Sequence, residues 1–270
     1  MYFDAKSAVP VLPASEVSIP LSCQFEASSK SFFDRQATNW ADRYESATYK
    51  QRRHLVSKLV RSEVKRLNRP TSTIKLLDFG CGSGVLLKDA ATLGLQVTGV
   101  DNSKAMIDAA RCRLVDFNVQ VNLEWLPSSS GEGSYELQNY DIVVCFSVLE
   151  FILDWQPLLV RLCARVTPGG LFILSVPNQY SWLRMLEKFI HHYPRVFRRF
   201  SALDHLTGND SYLNHQAHQF ARTDLLHLVR NQSLKEETRR FHVAPGLLSG
   251  ADFLERIGMM LMMSFRQMTP

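Results

Sequence analysis

Apolar and polar residues follow two rhythms along this chain, and the rhythms take turns. Short apolar runs at 74–77, 96–100, 140–146 and 171–176 have the length of strands buried on both faces. Between them, segments 85–93, 104–117 and 157–165 place apolar residues three and four apart, the spacing of helices that bury one face. Residues 119–125 read as a further strand, 223–229 as a helix, 234–243 as a strand and 259–268 as the site of a last strand. Strand then helix, repeated, predicts a parallel-rich α/β sheet. The rhythm fails over residues 177–218, too long for an ordinary connection, which predicts an insert after the fifth strand that caps the sheet and shapes a substrate site. Residues 1–30 are expected to form a flexible arm, leaving 31–270 as one domain.

The first strand runs into Asp78-Phe79-Gly80-Cys81-Gly82-Ser83-Gly84, an acid followed by three alternate glycines. Residues without a Cβ let the backbone take positive φ and let a ligand lie against it. The second strand ends in Asp101, and Asn102-Ser103 caps the helix that follows. An acid at that strand tip, about 20 residues after a glycine turn, is where nucleotide-binding βαβ units grip ribose hydroxyls. A dinucleotide site would want its third glycine one residue later, where this chain has Val85, and Asp78 would repel a pyrophosphate while suiting an ammonium group. That combination suits the methionine end of S-adenosylmethionine better than a nicotinamide dinucleotide. A plain helix cap at Asp101, with Cys81 as a mere spacer, is the blander alternative.

Together with Tyr140-Asp141-Ile142-Val143-Val144-Cys145 and Arg165-Val166-Thr167-Pro168-Gly169-Gly170-Leu171, these segments resemble the class I S-adenosylmethionine-dependent methyltransferases over roughly residues 30 to 266. Val148-Leu149-Glu150, the segment 220–235 and His242 to Pro245 make the O-methyltransferases of the ubiquinone pathway the most similar group. The resemblance implies a Rossmann-like seven-stranded sheet, mostly parallel, with the final strand antiparallel, helices on both faces and an N-terminal lid helix. It implies S-adenosyl-L-methionine as cofactor: Asp78, Gly80, Cys81, Gly82 and Gly84 around the methionine moiety, and Asp101 on the ribose hydroxyls. Asn102 and Ser128 then fall beside the adenine and Ser147 at a strand end. Phe32-Phe33, Trp40, Tyr44 and Tyr49, followed by Arg52-Arg53, resemble the aromatic lid of relatives, with Arg53 placed to pair the cofactor carboxylate.

Methyl transfer from a sulfonium is an in-line displacement, so positioning dominates, and a hydroxyl acceptor also needs a base. His205, His215, His218 and His242 are the histidines offered near the carboxyl edge; His215 ranks first as catalytic residue and His218 second. The chain departs from the ubiquinone group where that group carries Glu-x-Leu-Glu-His. Here Ser147-Val148-Leu149-Glu150-Phe151 retains one of three candidate ligands for a hard divalent ion, so no metal site is assigned. The expected activity is O-methylation of a hydrophobic or aromatic small molecule. N- or C-methylation of a biosynthetic intermediate, and a catalytically silent S-adenosylmethionine-binding protein, stay open beside it.

Composition narrows the partners. With 46% hydrophobic and 21% charged residues the chain can bury one substantial core. A net charge of +5 comes without a recognisable nucleic-acid-binding motif, so no nucleic-acid partner is expected. The five cysteines lack metal or disulfide spacing, and neither a signal-peptide pattern nor a run of 18 apolar residues occurs, which together predict a cytoplasmic protein. Within the insert, 181–200 sets Trp182, Met185, Leu186, Phe189, Tyr193, Val196 and Phe200 among five basic residues and the single acid Glu187. That mixture fits a lid over an apolar acceptor, a helix at an anionic membrane surface, or an ordinary cap packed on the sheet. Pro194 should divide any helix there.

Overall fold

A computed structural model describes residues 21–43, 47–117, 120–126, 134–197, 211–242, 249–250, 256 and 258–269. The expected strands form one sheet: β1 (Lys75–Phe79), β2 (Gln96–Asp101), β3 (Val121–Trp125), β4 (Tyr140–Phe146), β5 (Val166–Pro177), β6 (Leu234–His242), β7 (Ser249–Gly250) and β8 (Met260–Gln267). Their order is β3-β2-β1-β4-β5-β8-β6-β7. The pairs among β1 to β5 are parallel, and β8 runs antiparallel between β5 and β6, as expected of the final strand. The two-residue β7 makes an eighth strand that periodicity did not anticipate, because two residues carry no alternation to read.

Alternation along the strands decides which side each helix covers. Leu77, Phe79, Val143, Cys145, Phe172 and Leu174 point to one face and pack with α6 (Trp155–Ala164) and α9 (Arg222–Asn231). Leu76, Ile142, Val144, Leu171 and Ile173 point to the other, under α3 (Ala47–Leu67), α4 (Val85–Ala91) and α5 (Lys104–Leu114). Both faces are therefore dry, which is why these strands read as unbroken apolar runs. The long α3 is pinned by Glu63, which is 2% exposed and accepts from Arg66 on its own helix and from Arg266 on β8. Both arginines also donate to the Gly169 carbonyl of β5.

Two N-terminal helices precede α3: α1 (Leu21–Gln36) and the short α2 (Trp40–Arg43). The expectation of an arm over 1–30 is thus corrected for residues 21–30, which are helical, and Phe32 is fully buried. Residues 1–20 lie outside the described residues. After β5 the insert forms α7 (Trp182–His192) and α8 (Pro194–Phe197), divided at Pro194 because its ring cannot continue a helix. A single helical turn at Tyr212–His215 follows, leading to α9.

Candidate functional site

The expected site residues that the structure describes lie at the carboxyl edge of the parallel strands, where chain order reverses between β1 and β4. The turn after β1 takes the conformation its glycines permit. Gly80 has φ +74°, and a Cβ there would stand 2.2 Å from a Val148 methyl. Gly84 has φ +77°, and a Cβ there would stand 2.9 Å from Ala110, so the early third glycine lets α5 close on the turn. The amides of Gly80 and Cys81 both bond to the Val100 carbonyl, at 2.8 and 3.0 Å, which hooks the turn onto the end of β2.

Asp101 completes the hook. Its carboxylate accepts from the Gly82 amide and the Ser103 amide, each at 2.9 Å, so the residue fixes the turn and the start of α5 together. Burial raises its pKa to about 6 against the pull of those amides, and Asp34 on α1 adds to the rise. Asp34 itself accepts from Ser103 Oγ at 2.5 Å and pairs with Lys30 at 2.7 Å. Asn102 lies beside this group, its carbonyl accepting from Trp125. Ser128 falls outside the described residues.

Asp78 is the outlier. It is 1% exposed, and among the described residues neither carboxylate oxygen has a hydrogen-bond partner. Burial, then the charge of Asp101, raises its pKa to about 7. A buried carboxylate left unsatisfied is costly, and such a group at a ligand site marks a place for a cationic or hydrogen-bonding partner.

On the β4 side, Ser147 sits at φ +58° and its hydroxyl accepts from Arg52, which also donates to Ser175 at 2.8 Å. Arg52 is 3% exposed and lies over the Phe146 ring at 4.3 Å. Arg53, expected to pair the cofactor carboxylate, has its guanidinium in a bidentate pair with Asp89 on α4, at 2.6 and 2.7 Å. Neighbouring helical residues point about 100° apart, and only Arg52 is in phase with the buried Val56 and Val60 at i+4 and i+8. That phase is visible in the sequence and identifies the inward arginine.

Glu150, the one acid kept from the Glu-x-Leu-Glu-His pattern, is buried at this edge. It is 3% exposed with Oε2 unpartnered among the described residues, and burial lifts its pKa to about 7 although Arg52, Arg184 and Ser147 pull it down. Its carbonyl accepts from the amides of Ala217 at 2.7 Å and His218 at 3.3 Å. The two histidines therefore arrive at this edge by a backbone tether. His218 Nε2 lies 3.0 Å from the Leu153 carbonyl, so that nitrogen carries the proton. His215 stacks on Phe32 with centroids 4.6 Å apart, and its Nδ1 lies 3.3 Å from Ser28 Oγ. Phe33 packs edge-on against Trp40 and Phe151, and Trp40 reaches the glycine turn, 3.2 Å from where a Gly82 Cβ would stand. His205 lies outside the described residues, as does the ring of His242.

A profile described as a methyltransferase domain matches residues 50–241. The chain belongs to the methyltransferase domain family. The ubiquinone biosynthesis O-methyltransferase of Rickettsia bellii is 31% identical over 117 residues, 43% of this chain and 48% of that one. The mitochondrial ubiquinone biosynthesis O-methyltransferase of Schizosaccharomyces pombe is 35% identical over 126 residues, 46% of each chain. The chain thus spans about half the length of these curated relatives. Magnesium protoporphyrin IX methyltransferase from Synechocystis, solved with bound SAH, superimposes with a TM-score of 0.61 at 16% identity, covering 90% of this chain and 99% of that one. A didemethyltoxoflavin N1-methyltransferase of Burkholderia thailandensis, solved with S-adenosylhomocysteine, gives 0.59 at 16% identity over 99% and 98%. The sheet is that of class I methyltransferases, and S-adenosylmethionine is the methyl donor of the family. The unsatisfied Asp78 carboxylate beside the glycine turn and Asp101 at the tip of β2 fit that donor.

Proposed function

We propose that this methyltransferase acts on the oxygen of a hydrophobic or aromatic small molecule. The observation that carries the reading is a juxtaposition on one sheet edge. An unsatisfied acid and a glycine turn stand on the β1 side, and an aromatic wall with two histidines stands on the β4 side.

When bound, S-adenosylmethionine supplies a methyl group made electrophilic by its sulfonium. The chain's own work is binding, orientation and one proton. Asp78 would accept from the donor's ammonium, Arg52 would face its carboxylate from the Ser147–Ser175 side, and Asp101 would hold the ribose hydroxyls. Gly80, Cys81, Gly82 and Gly84 line the approach. Phe32, Phe33 and Phe151 exclude water and favour a flat apolar acceptor. His218 is the preferred base: with Nε2–H held by the Leu153 carbonyl, its Nδ1 is the acceptor for a hydroxyl proton. His215, ranked first on sequence grounds, moves to second, because its ring is 7% exposed and stacked on Phe32. Ser147 serves through Arg52.

Isothermal titration with S-adenosylhomocysteine, followed by a screen of lipophilic phenols with methyl-labelled donor, tests the reading. Micromolar binding lost in Asp101→Ala and turnover of a phenol support it. Wild-type protein that binds no S-adenosylhomocysteine overturns it. His218→Gln should lower kcat by about 10²-fold or more with KM for the donor unchanged. Full turnover in His218→Gln and His215→Gln together moves the reading to N- or C-methylation, which needs no such base.

A further inference from the structure

The sheet face that packs with α6 and α9 changes character along its strands. Toward the carboxyl ends it is apolar, with Leu77, Phe79 and Val100 buried in the core. At the amino ends of β1, β2 and β3 the same face turns polar: Lys75 is in register with Gln96, and Thr98 with Asn122. Adjacent strands lie about 4.8 Å apart, so these side chains stand next to one another. Among the described residues, the connection from β3 to β4 contributes one helical turn, Ser134–Leu137, and no longer helix to cover this corner. The result is a cavity of about 320 Å³ at the opposite end of the strands from the glycine turn.

A chain of hydrogen bonds fixes its floor. Lys75 Nζ donates to Gln138 Oε1 at 3.1 Å, and Gln138 Nε2 donates to the Tyr140 hydroxyl at 2.9 Å. Tyr140 also bonds the Thr98 side chain, and both residues are buried. Gln96 is held by its Nε2, which donates to the Ser72 carbonyl at 2.7 Å. Gln120 and Asn122 are exposed at the rim. Lys75 is the one ionic side chain among the described lining residues, and its ammonium bonds an amide where an ion pair would supply a carboxylate. The nearby acids are engaged elsewhere. Asp141 accepts from the Lys75 amide and pairs with Arg69, while Glu124, next along this face of β3, accepts from the Ser134 amide and hydroxyl at 2.7 and 2.8 Å.

An ammonium without a carboxylate attracts an anion, and each carboxamide around it offers a donor and an acceptor, the same pair that a sugar hydroxyl offers. The volume lies at the small end of ligand sites. We infer that this amino-edge cavity binds a small hydroxylated organic anion, the size of a phosphorylated or carboxylated sugar. Four residue steps of β1, about 13 Å, separate Lys75 from Phe79 at the carboxyl edge, so the ligand and the methyl donor do not compete. The site does not depend on the methyl-transfer reading, and its test reads binding alone.

The test is isothermal titration of the full chain with glucose 6-phosphate, gluconate and glucose. At least one of the two anions should bind about tenfold or more tightly than neutral glucose, and salt should weaken it; the stronger anion tells a phosphate ligand from a carboxylate one. Lys75→Met should weaken that binding by about tenfold or more. So should Gln120→Glu, which sets a negative charge at an exposed rim position and leaves the fold intact. Lys58→Met removes an exposed cation of α3 on the other face of the sheet and should change nothing. Saturating S-adenosylhomocysteine should leave the anion's Kd within a factor of about two. The inference is overturned if neither anion binds, if glucose binds equally well, or if either cavity variant binds like the wild type. Equal loss in Lys58→Met, or displacement by S-adenosylhomocysteine, overturns it as well.

Discussion

Asp78 and Arg184 are both buried ions within the same half of the molecule, and they are opposites. Arg184 is matched by a carbonyl, a carboxylate and a phenol, while neither oxygen of Asp78 has a partner among the described residues. Removing a charge from water costs several kcal/mol unless hydrogen bonds replace the lost hydration. Arg184 meets that condition within the fold and so ties the insert to the end of the sheet. Asp78 does not meet it among the described residues, and it stands beside the sharp glycine turn at the strand edge. A satisfied buried ion is read as architecture; an unsatisfied one at the strand edge is read as a binding site.

The largest effect should come from breaking the architectural ion. Arg184→Met leaves the Glu187 charge with the Tyr212 hydroxyl but without its cation, and should cost about 3 kcal/mol, roughly 6 °C in Tm, measured by calorimetry of the ligand-free protein. Asp78→Asn should do the reverse. Replacing an unpaired carboxyl by a neutral amide leaves Tm equal or higher, yet weakens S-adenosylhomocysteine binding by about 10²-fold, since a charge-assisted hydrogen bond is lost. If Asp78→Asn destabilised the ligand-free fold as much as Arg184→Met, the contrast between the two ions would be false.

Titration sharpens the same contrast by a smaller amount. Burial lifts Asp78 to about 7, above its unfolded value near 3.8. An acid whose pKa is raised by folding contributes stability that is full below the unfolded pKa and lost as pH rises through the folded one. The ligand-free protein should therefore lose stability between about pH 4 and 8, a loss to which Asp101, raised to about 6, and Glu150, raised to about 7, also contribute. Cofactor affinity should run the other way, because an ammonium partner needs the carboxylate. S-adenosylhomocysteine binding should weaken by up to about tenfold per pH unit below about 7 and release protons, seen by titration in buffers of different ionisation enthalpy. Asp78→Asn should flatten that slope.

What was legible in the sequence follows the same division. The β1 side is made of contacts within one strand–helix–strand unit: Gly82 to Asp101, Ser103 to Asp101, the turn onto Val100. Contacts confined to one such unit leave motifs, and Asp78, the glycines and Asp101 were read from theirs. The β4 side is assembled from distant pieces: Arg52 with Ser147 and Ser175, Ser28 with His215, Arg184 with Met259. No window of sequence contains such a pair. Glu150 was read only as the remnant of a metal motif because the charges that act on it, Arg52 and Arg184, are both far away along the chain. The helical start at Leu21 was missed for a related reason: α1 is held by Phe32 on His215 and Asp34 on Ser103, not by its own periodicity.

The smallest effect is the most discriminating, because it separates two adjacent arginines. Arg52 is buried against the Phe146 ring and reaches two serines at the strand ends, so Arg52→Met should raise KM for S-adenosylmethionine by at least tenfold. Arg53 is paired to Asp89 at a half-exposed position, with Ser57 also donating to that carboxylate at 3.1 Å. Exposed pairs of this kind contribute about 1 kcal/mol or less, so Arg53→Met should lower Tm by only about 2 °C. It should also leave the donor KM within a factor of about two, because Asp89 sits on the flank of α4 and bonds no part of the glycine turn. The comparison needs only steady-state kinetics on two variants one residue apart. Arg53→Met raising KM while Arg52→Met does not would return the carboxylate to Arg53 and place α3 in the other helical phase, against the burial of Val56 and Val60.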